Sequence, residues 1–439
     1  MKKILIAAAA LAALFLALST LKAQESSEAE EGGAPLADER MSVYGYGVSF
    51  ASVDFRELPS EEAELGGIAY IRVKGDFKPQ EGLSFHVEAS YDARTGYQNS
   101  FVTLADAGLL DPADADAHTF MSSIEVDQAY GSAVAGDFSL QAGKLPIGWG
   151  SAYVFNPTQR ASRPALLDPV VDETPGTLAI LPTWSPADAF RLSAYVAFQD
   201  RSHRETVAAD DGAIENMPFG VKAQTTIGNF DVAACFIKEV DYVELAGLMP
   251  GSYERSLFAG LDAAGAIWDF GVYAEAVLML PMGDDGLSWD PDGFDFLDAL
   301  EVAAGFDYSF SGLELELRAE YYHQGSGTSD KALYSPLDLL SGRKLLQAED
   351  YVFARLEKTF ADYFTLSAGG LVNINDASVV AMAELQYEAM DNLELKAGAT
   401  VPWGPMGSEF EGRYDLSALG LGEVDVMRSS IYASCKVSF

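Results

Sequence analysis

In LELELRAEYYH (313–323), Glu314, Glu316, Arg318 and Glu320 take every second position, with Leu313, Leu315, Leu317, Ala319 and Tyr321 between them. An extended strand turns its side chains to alternate faces, so this spacing gathers carboxylates and a guanidinium on one face and apolar groups on the other. LSFHVEASYD (83–92) does the same with His86 and Glu88 against Leu83, Phe85 and Val87, and Glu125 and Asp127 share a face in 120–131. Glu275 stands on the polar parity of 269–280. Rows of fixed charge of this kind do electrostatic work: along a water-filled path they bias which ion enters. A merely solvated face carries charge as well, so polarity alone indicates a wetted surface and not yet a channel.

Covalent chemistry finds little support. His86, His118, His203 and His323 show no metal-ligand spacing such as two histidines four apart on a helix. No serine stands at a nucleophile elbow and no glycine-rich loop is built to cradle phosphate. Ser84, His86 and Ser90 share a face but lack an orienting third group, so polar lining outweighs catalysis. DPDGFD (290–295) and DPADADAH (111–118) carry carboxylates that calcium accepts, yet the twelve-residue helix-flanked pattern is absent, and ordinary acidic loops account for both. The expectation is a chain that is not an enzyme and uses no cofactor or metal. Cys235 and Cys435 fall on opposite faces of non-adjacent strands, so no disulfide is expected.

The elements that position these charges are strands. Eighteen period-two segments run from 41–53 to 426–439, and helical spacing fits none of the clearest ones. From the second strand onward the connections alternate strictly in length. KPQEG, AVAG, SPADA, GN, AIWD, SFSG, FADY and AMDN are tight, whereas 95–119, 145–174, 281–297, 324–349 and 403–425 are long. Short connections at one end and long ones at the other, on an even number of strands, describe a closed transmembrane β-barrel. Phe77, Phe138, Phe190, Phe230, Trp268, Phe270, Phe310, Phe360 and Phe364 sit beside the tight turns, where a lipid–water boundary favours aromatic rings. A soluble all-β protein would also alternate, but would bury its apolar faces and would need no aromatic at every tight turn. The fold class expected is therefore all-β: a single transmembrane antiparallel barrel of about 18 strands over 41–439. Sixteen strands remain open if the first hairpin (41–77) is irregular.

Residues 1–23 have Lys2 and Lys3, an apolar run to about Leu18 and small residues up to Ala23, the layout of a cleaved signal peptide. The run is short of the roughly 20 residues a spanning helix needs. Residues 24–40 form an acidic tail without period, too short for a plug domain. All 66 acidic residues lie beyond residue 23, while three of the 28 basic ones (Lys2, Lys3, Lys22) lie within it, so the remainder carries 25 against 66, or −41. That balance excludes nucleic acid as a partner, since a phosphate backbone needs a basic surface.

The final stretch, SSIYASCKVSF, stops on Phe439 with Ile431, Ala433, Cys435 and Val437 apolar at alternate positions before it. It resembles the C-terminal signal of Gram-negative outer-membrane barrels, and with the hairpin rhythm the chain resembles their large porins of sixteen or eighteen strands. GKLPIGWGSAYVFNPTQ (143–159) is similar to a run associated with uncharacterised large barrels, from which Leu145 and Gln159 depart. The resemblance implies an outer-membrane location, with lipid and lipopolysaccharide around the barrel and the barrel-assembly machinery reading Ile431, Val437 and Phe439. It implies passive passage of small hydrophilic solutes, with a cation preference from the carboxylate-rich lumen, and it is compatible with a homotrimer. It also implies that the third outer loop, 145–174, folds inward. Trp149, Asn156, Arg160, Arg163, Asp168, Asp172 and Glu173 would then stand near a constriction, arginines facing carboxylates across a gap. A loop lying over the rim or against a neighbouring subunit is the alternative. So are a substrate-selective facilitator, a hydrophobic-solute transporter (for which 24–40 offers no hatch) and a non-conducting adhesive barrel.

Overall fold

In the computed structural model the described residues are 40–55, 63–98, 120–162, 174–198, 216–245, 249–283, 294–340, 344–415, 423–425 and 427–439. Residues 1–39, which include the segment read as a signal peptide, and Arg163, Asp168, Asp172 and Glu173 lie outside them. Alternating sequence becomes a ladder. The strands are β1 (Met41–Phe55), β2 (Glu64–Gln80), β3 (Leu83–Thr95), β4 (Phe120–Ala135), β5 (Phe138–Leu145), β6 (Thr177–Ala187), β7 (Phe190–Ala197), β8 (Phe219–Ile227) and β9 (Phe230–Leu245). They continue with β10 (Met249–Ile267), β11 (Phe270–Leu280), β12 (Leu300–Phe310), β13 (Leu315–Gln324), β14 (Asp350–Phe360), β15 (Phe364–Asn373), β16 (Ser378–Met390) and β17 (Leu393–Trp403). A small ribbon, β18 (Arg413–Asp415) with β19 (Glu423–Asp425), precedes β20 (Ser429–Ser438).

Each barrel strand pairs antiparallel with the next, β17 pairs with β20, and β20 pairs with β1 from Tyr46↔Ser438 to Phe55↔Ser429. The result is one closed sheet of 18 strands, which leaves no edge along the wall. Apolar side chains face out: Val87, Val126, Leu140, Ile180, Val221 and Leu261 are exposed, and Ile124 reaches 80%. So continuous an apolar surface, on strands paired laterally into one closed sheet, suits hydrocarbon and not water. At the tight-turn end the aromatics stack into a belt, with Phe77–Phe85 at 6.3 Å, Phe138–Trp184 at 6.1 Å, Phe270–Tyr308 at 4.5 Å and Phe360–Phe364 at 5.6 Å between centroids. Cys235 points inward and Cys435 outward on strands that do not touch, and both are free.

Several details differ from the sequence reading, among them a connection of only three residues, 246–248, between β9 and β10 at the long-loop end. The connection between β15 and β16 is a four-residue turn, 374–377, although it lies at the long-loop end. Asn373 and Asp376 close it, their side-chain oxygens accepting the N–H groups of Asn375 (2.9 Å) and Ser378 (2.8 Å). In β4 the pairing to β3 slips between Glu88↔Gln128 and Ala89↔Val126, so Asp127 is an extra, bulged residue. The bulge resets the parity and turns Gln128 and Tyr130 inward. Glu314, finally, is not on a strand face: it lies exposed in the turn before β13, at φ 51°.

Candidate functional site

Past Leu145 the chain leaves the wall and enters the lumen. Pro146 cannot donate to a ladder, which ends the strand. Leu145, Ile147 and Trp149 then bury against the inward Tyr195, Ile237, Phe258 and Val277, with the Trp149 and Tyr195 rings edge-on at 5.1 Å. This side of the lumen is filled largely by apolar side chains.

Two carboxylates fix the next turn of the loop. Glu275, inward on β11 and 1% exposed, accepts hydrogen bonds from the backbone N–H of Ser151, from that of Ala152 (2.7 Å), and from both the N–H (3.0 Å) and the hydroxyl (2.8 Å) of Thr158. Glu320, inward on β13 and equally buried, accepts the N–H groups of Tyr153 (2.8 Å), Val154 (3.2 Å) and Phe155 (2.6 Å). Successive N–H groups converging on one carboxylate form an anion nest, here filled by the wall's own side chains. Without those donors two buried carboxylates would be uncompensated, so wall and loop hold each other in place. The loop also needs room: a Cβ at Gly260 would stand 2.8 Å from Cys235 Sγ and 3.3 Å from the Thr158 methyl.

Further along, Phe155 stacks flat on Tyr322 (4.5 Å, 6°), and Arg318 lies 4.0 Å over the Tyr153 ring. Arg160 is only 5% exposed. Its Nε donates to the Pro157 carbonyl (2.6 Å), its guanidinium bonds Glu301 and approaches Glu239 (3.6 Å), and it sits 4.0 Å over Phe258. It meets its carboxylates directly, whereas the sequence reading set them across a gap. Ser162 Oγ accepts the Ile147 N–H (3.2 Å) and shares a hydrogen bond with the Thr177 hydroxyl (2.8 Å), which ties the loop back to β6.

The remaining residues named from sequence divide into groups. Asn156 faces the cavity described below, and Trp149 belongs to the packed side of the loop. Glu316 pairs with Arg318 at 2.9 Å. Glu125 stands opposite Ser90 on the inward parity. His86 and Glu88 join a wall network on β2–β4, whose Asp127 carbonyl accepts the Gly176 N–H (3.1 Å) where the loop returns to the wall. His86 places Nδ1 at 2.7 Å from Asp76 and Nε2 at 2.9 Å from Glu88, while Arg72 reaches Glu88 (3.1 Å) and Asp127 (3.5 Å). Both ring nitrogens of His86 thus face carboxylates. Ile431 and Val437 point outward, and the backbone of Phe439 pairs with Gly45 in both directions at 2.9 Å. Sequence reasoning counted Glu275 and Glu320 as lining and missed their role as anchors. The available signal was a lone carboxylate in an otherwise apolar strand, FGVYAEAVLML.

Between the loop and the opposite wall runs a cavity of about 1130 Å³. Tyr153 to Pro157, with Gln159 and Arg160, form its loop side, and residues of β9–β17, β20 and β1 line the rest. It reaches Asp54, Glu254, Lys344 and Arg428 toward the long loops, and Glu384, Glu394, Lys396 and Lys436 toward the tight turns.

No protein-family model matches the chain, and no curated protein matches it. Solved structures of similar architecture include a triple mutant of Rhodopseudomonas blastica porin, at 11% identity and a TM-score of 0.41, and two further mutants of Rh. blastica porin, each at 12% and 0.42. Each match covers 91% of this chain and 100% of the other.

Proposed function

We propose that the chain is a passive diffusion channel of a Gram-negative outer membrane, narrowed by the inward loop that starts at Pro146. One observation carries this reading: inside a closed, apolar-walled barrel, a single cavity passes the pinned loop and touches charged residues at both ends. An 18-stranded barrel is too wide for its own side chains to fill. Here the described part of the loop packs against one side, and the cavity runs beside it. The reading includes export by a cleaved signal peptide, assembly through the terminal strand and lipopolysaccharide against the outer wall, with a homotrimer as one assembly that fits.

A cation preference is part of the proposal, in weaker form than the net charge suggests. The cavity is lined by seven carboxylates and six basic side chains. Asp54, Glu239, Asp241, Glu254 and Glu301 outnumber Arg160, Lys344 and Arg428 toward the long loops, and the balance reverses toward the tight turns. A modest bias arising at the outer mouth follows. Single-channel recording in a planar bilayer under a salt gradient tests it: open steps with a small cation-side reversal potential support the reading. A folded barrel that never opens removes it in favour of a surface role for the long loops.

A further inference from the structure

Most charges lining the cavity stand toward its two ends; Arg355, in register with Met382 through Gly369, Lys436, opposite Val48, and Glu384, bonded by Tyr432, border the stretch between them. On β16 the inward order from the long-loop end is Val380, Met382, then Glu384; on β14 it is Phe353 then Arg355; on β1 it is Asp54, Ser52, then Phe50 and Val48. On β20, Tyr432 stands above Ser434 and Lys436. These registers set an apolar waist between the charged mouths: Val48, Phe50, Leu371, Met382 and Tyr432 from the wall, facing Phe155 of the loop. The waist is built and held. Phe50 stacks on Tyr432 (5.3 Å, 26°), the Tyr432 hydroxyl donates to Glu384 (2.9 Å), and Phe155 is fixed through Glu320 and Tyr322.

From this arrangement we infer the solute class, an inference that rests on the channel reading above: the passage favours small amphipathic solutes, with polar or zwitterionic ends and an apolar body, over hydrated solutes of equal or smaller size. An apolar stretch of wall holds water poorly and offers nothing to replace an ion's hydration shell. An apolar body, by contrast, gains from leaving water there. The mouths oppose each other in sign, acid-rich toward the long loops and base-rich toward the tight turns, so a dipolar solute meets a complementary charge at each end.

The test is swelling of liposomes holding the full chain, in isotonic L-serine or L-phenylalanine, both zwitterions at neutral pH, with bilayer conductance recorded in parallel. Phenylalanine should enter at least as fast as serine despite its larger size. Met382→Asn, which polarises the waist, should lower the phenylalanine-to-serine ratio by roughly twofold or more and raise ion conductance. Thr400→Leu, opposite Met382 in the β16–β17 register, should move both readouts the other way and keeps the test alive if the first variant folds poorly. Serine faster than phenylalanine in every variant, with normal conductance, overturns the inference and leaves a size-sieving channel. No swelling and no conductance defeats the channel reading, and the inference with it.

Discussion

Thr158 gives both its backbone N–H (3.0 Å) and its hydroxyl (2.8 Å) to the same oxygen of Glu275, across 117 residues of sequence. That bond, with the nest around Glu320, turns a long connection into part of the lumen. Neither carboxylate works alone: Glu275 holds the loop at Ser151, Ala152 and Thr158, and Glu320 holds the stretch between.

Glu320→Gln should loosen the loop while leaving the barrel closed. The amide keeps one acceptor oxygen where three N–H groups converge, and a charge-assisted bond weakens to a neutral one, a loss of about 1–3 kcal/mol. Limited proteolysis of detergent-solubilised protein should then cut within 151–158, where the parent resists. Equal resistance in both would show that packing, not the carboxylate, holds the loop.

Closure of the barrel depends on Gly45. A Cβ there would run into the Arg72 carbonyl and stand 3.0 Å from the Phe439 ring, whereas a Cβ at Gly75 meets nothing within 4 Å. Gly45→Val should therefore sharply reduce the fraction of heat-modifiable, folded barrel on gels, as should deletion of Phe439. Gly75→Ala should leave it unchanged. Similar behaviour of the two glycine variants would separate closure from this contact.

On the long-loop side, Glu409 is buried beneath the turn at 374–377. It accepts hydrogen bonds from Tyr351 Oη (2.6 Å), the Gln347 N–H (2.7 Å) and Asn373 Nδ2 (2.8 Å), and its own N–H donates to Asp376 (2.7 Å). Burial pushes its carboxyl up to about 7, with Asp376 adding to the rise and the hydrogen bonds opposing it. The folded state thus binds a proton that the unfolded chain, titrating near 4.5, has already lost. The contribution is most favourable below about pH 4.5 and declines as pH rises to 7, by at most about 3 kcal/mol. Hydrogen exchange around 346–351 and 409–410 should be slower at pH 5 than at pH 8 after correction for intrinsic rates, and Glu409→Gln should flatten the difference. Protection that increases with pH would contradict the assignment.

Arg160→Gln would leave Glu239 and Glu301 without their shared cation at the outer mouth. The reversal potential under a salt gradient should shift toward cation selectivity, and the protein should lose stability by about 3–5 kcal/mol, as expected when one partner of a buried ion cluster is removed. A shift toward anions would mean that these carboxylates do not face the permeation path.

Much of the wall was legible because period-two alternation, tight turns and ring position are local signals. Phe360–Phe364 and Phe138 mark their turns as the sequence reading places them, and the strand number agrees. The loop was legible only as a length and a composition. Of its anchors, Glu275 carried only the weak signal of a lone carboxylate in an apolar strand, and Glu320 reads like its lumen-lining neighbour Glu316, since what marks both is contact with residues 117 to 167 positions away. The bulge at Asp127 was hidden for a related reason: DQAY carries no Gly or Pro, and the slip shows only against β3. Arg160 was read for its charge, but its burial between Glu239, Glu301 and Phe258 comes from three different strands.

The most direct measurement is single-channel conductance of the parent beside a Glu275→Gln, Glu320→Gln double variant, both verified as folded barrels. A pinned loop that narrows an open lumen predicts discrete steps for the parent, and larger, noisier steps once both anchors are neutral. A silent parent, or identical steps from the two proteins, would contradict the claim that this loop sets the width of an open path.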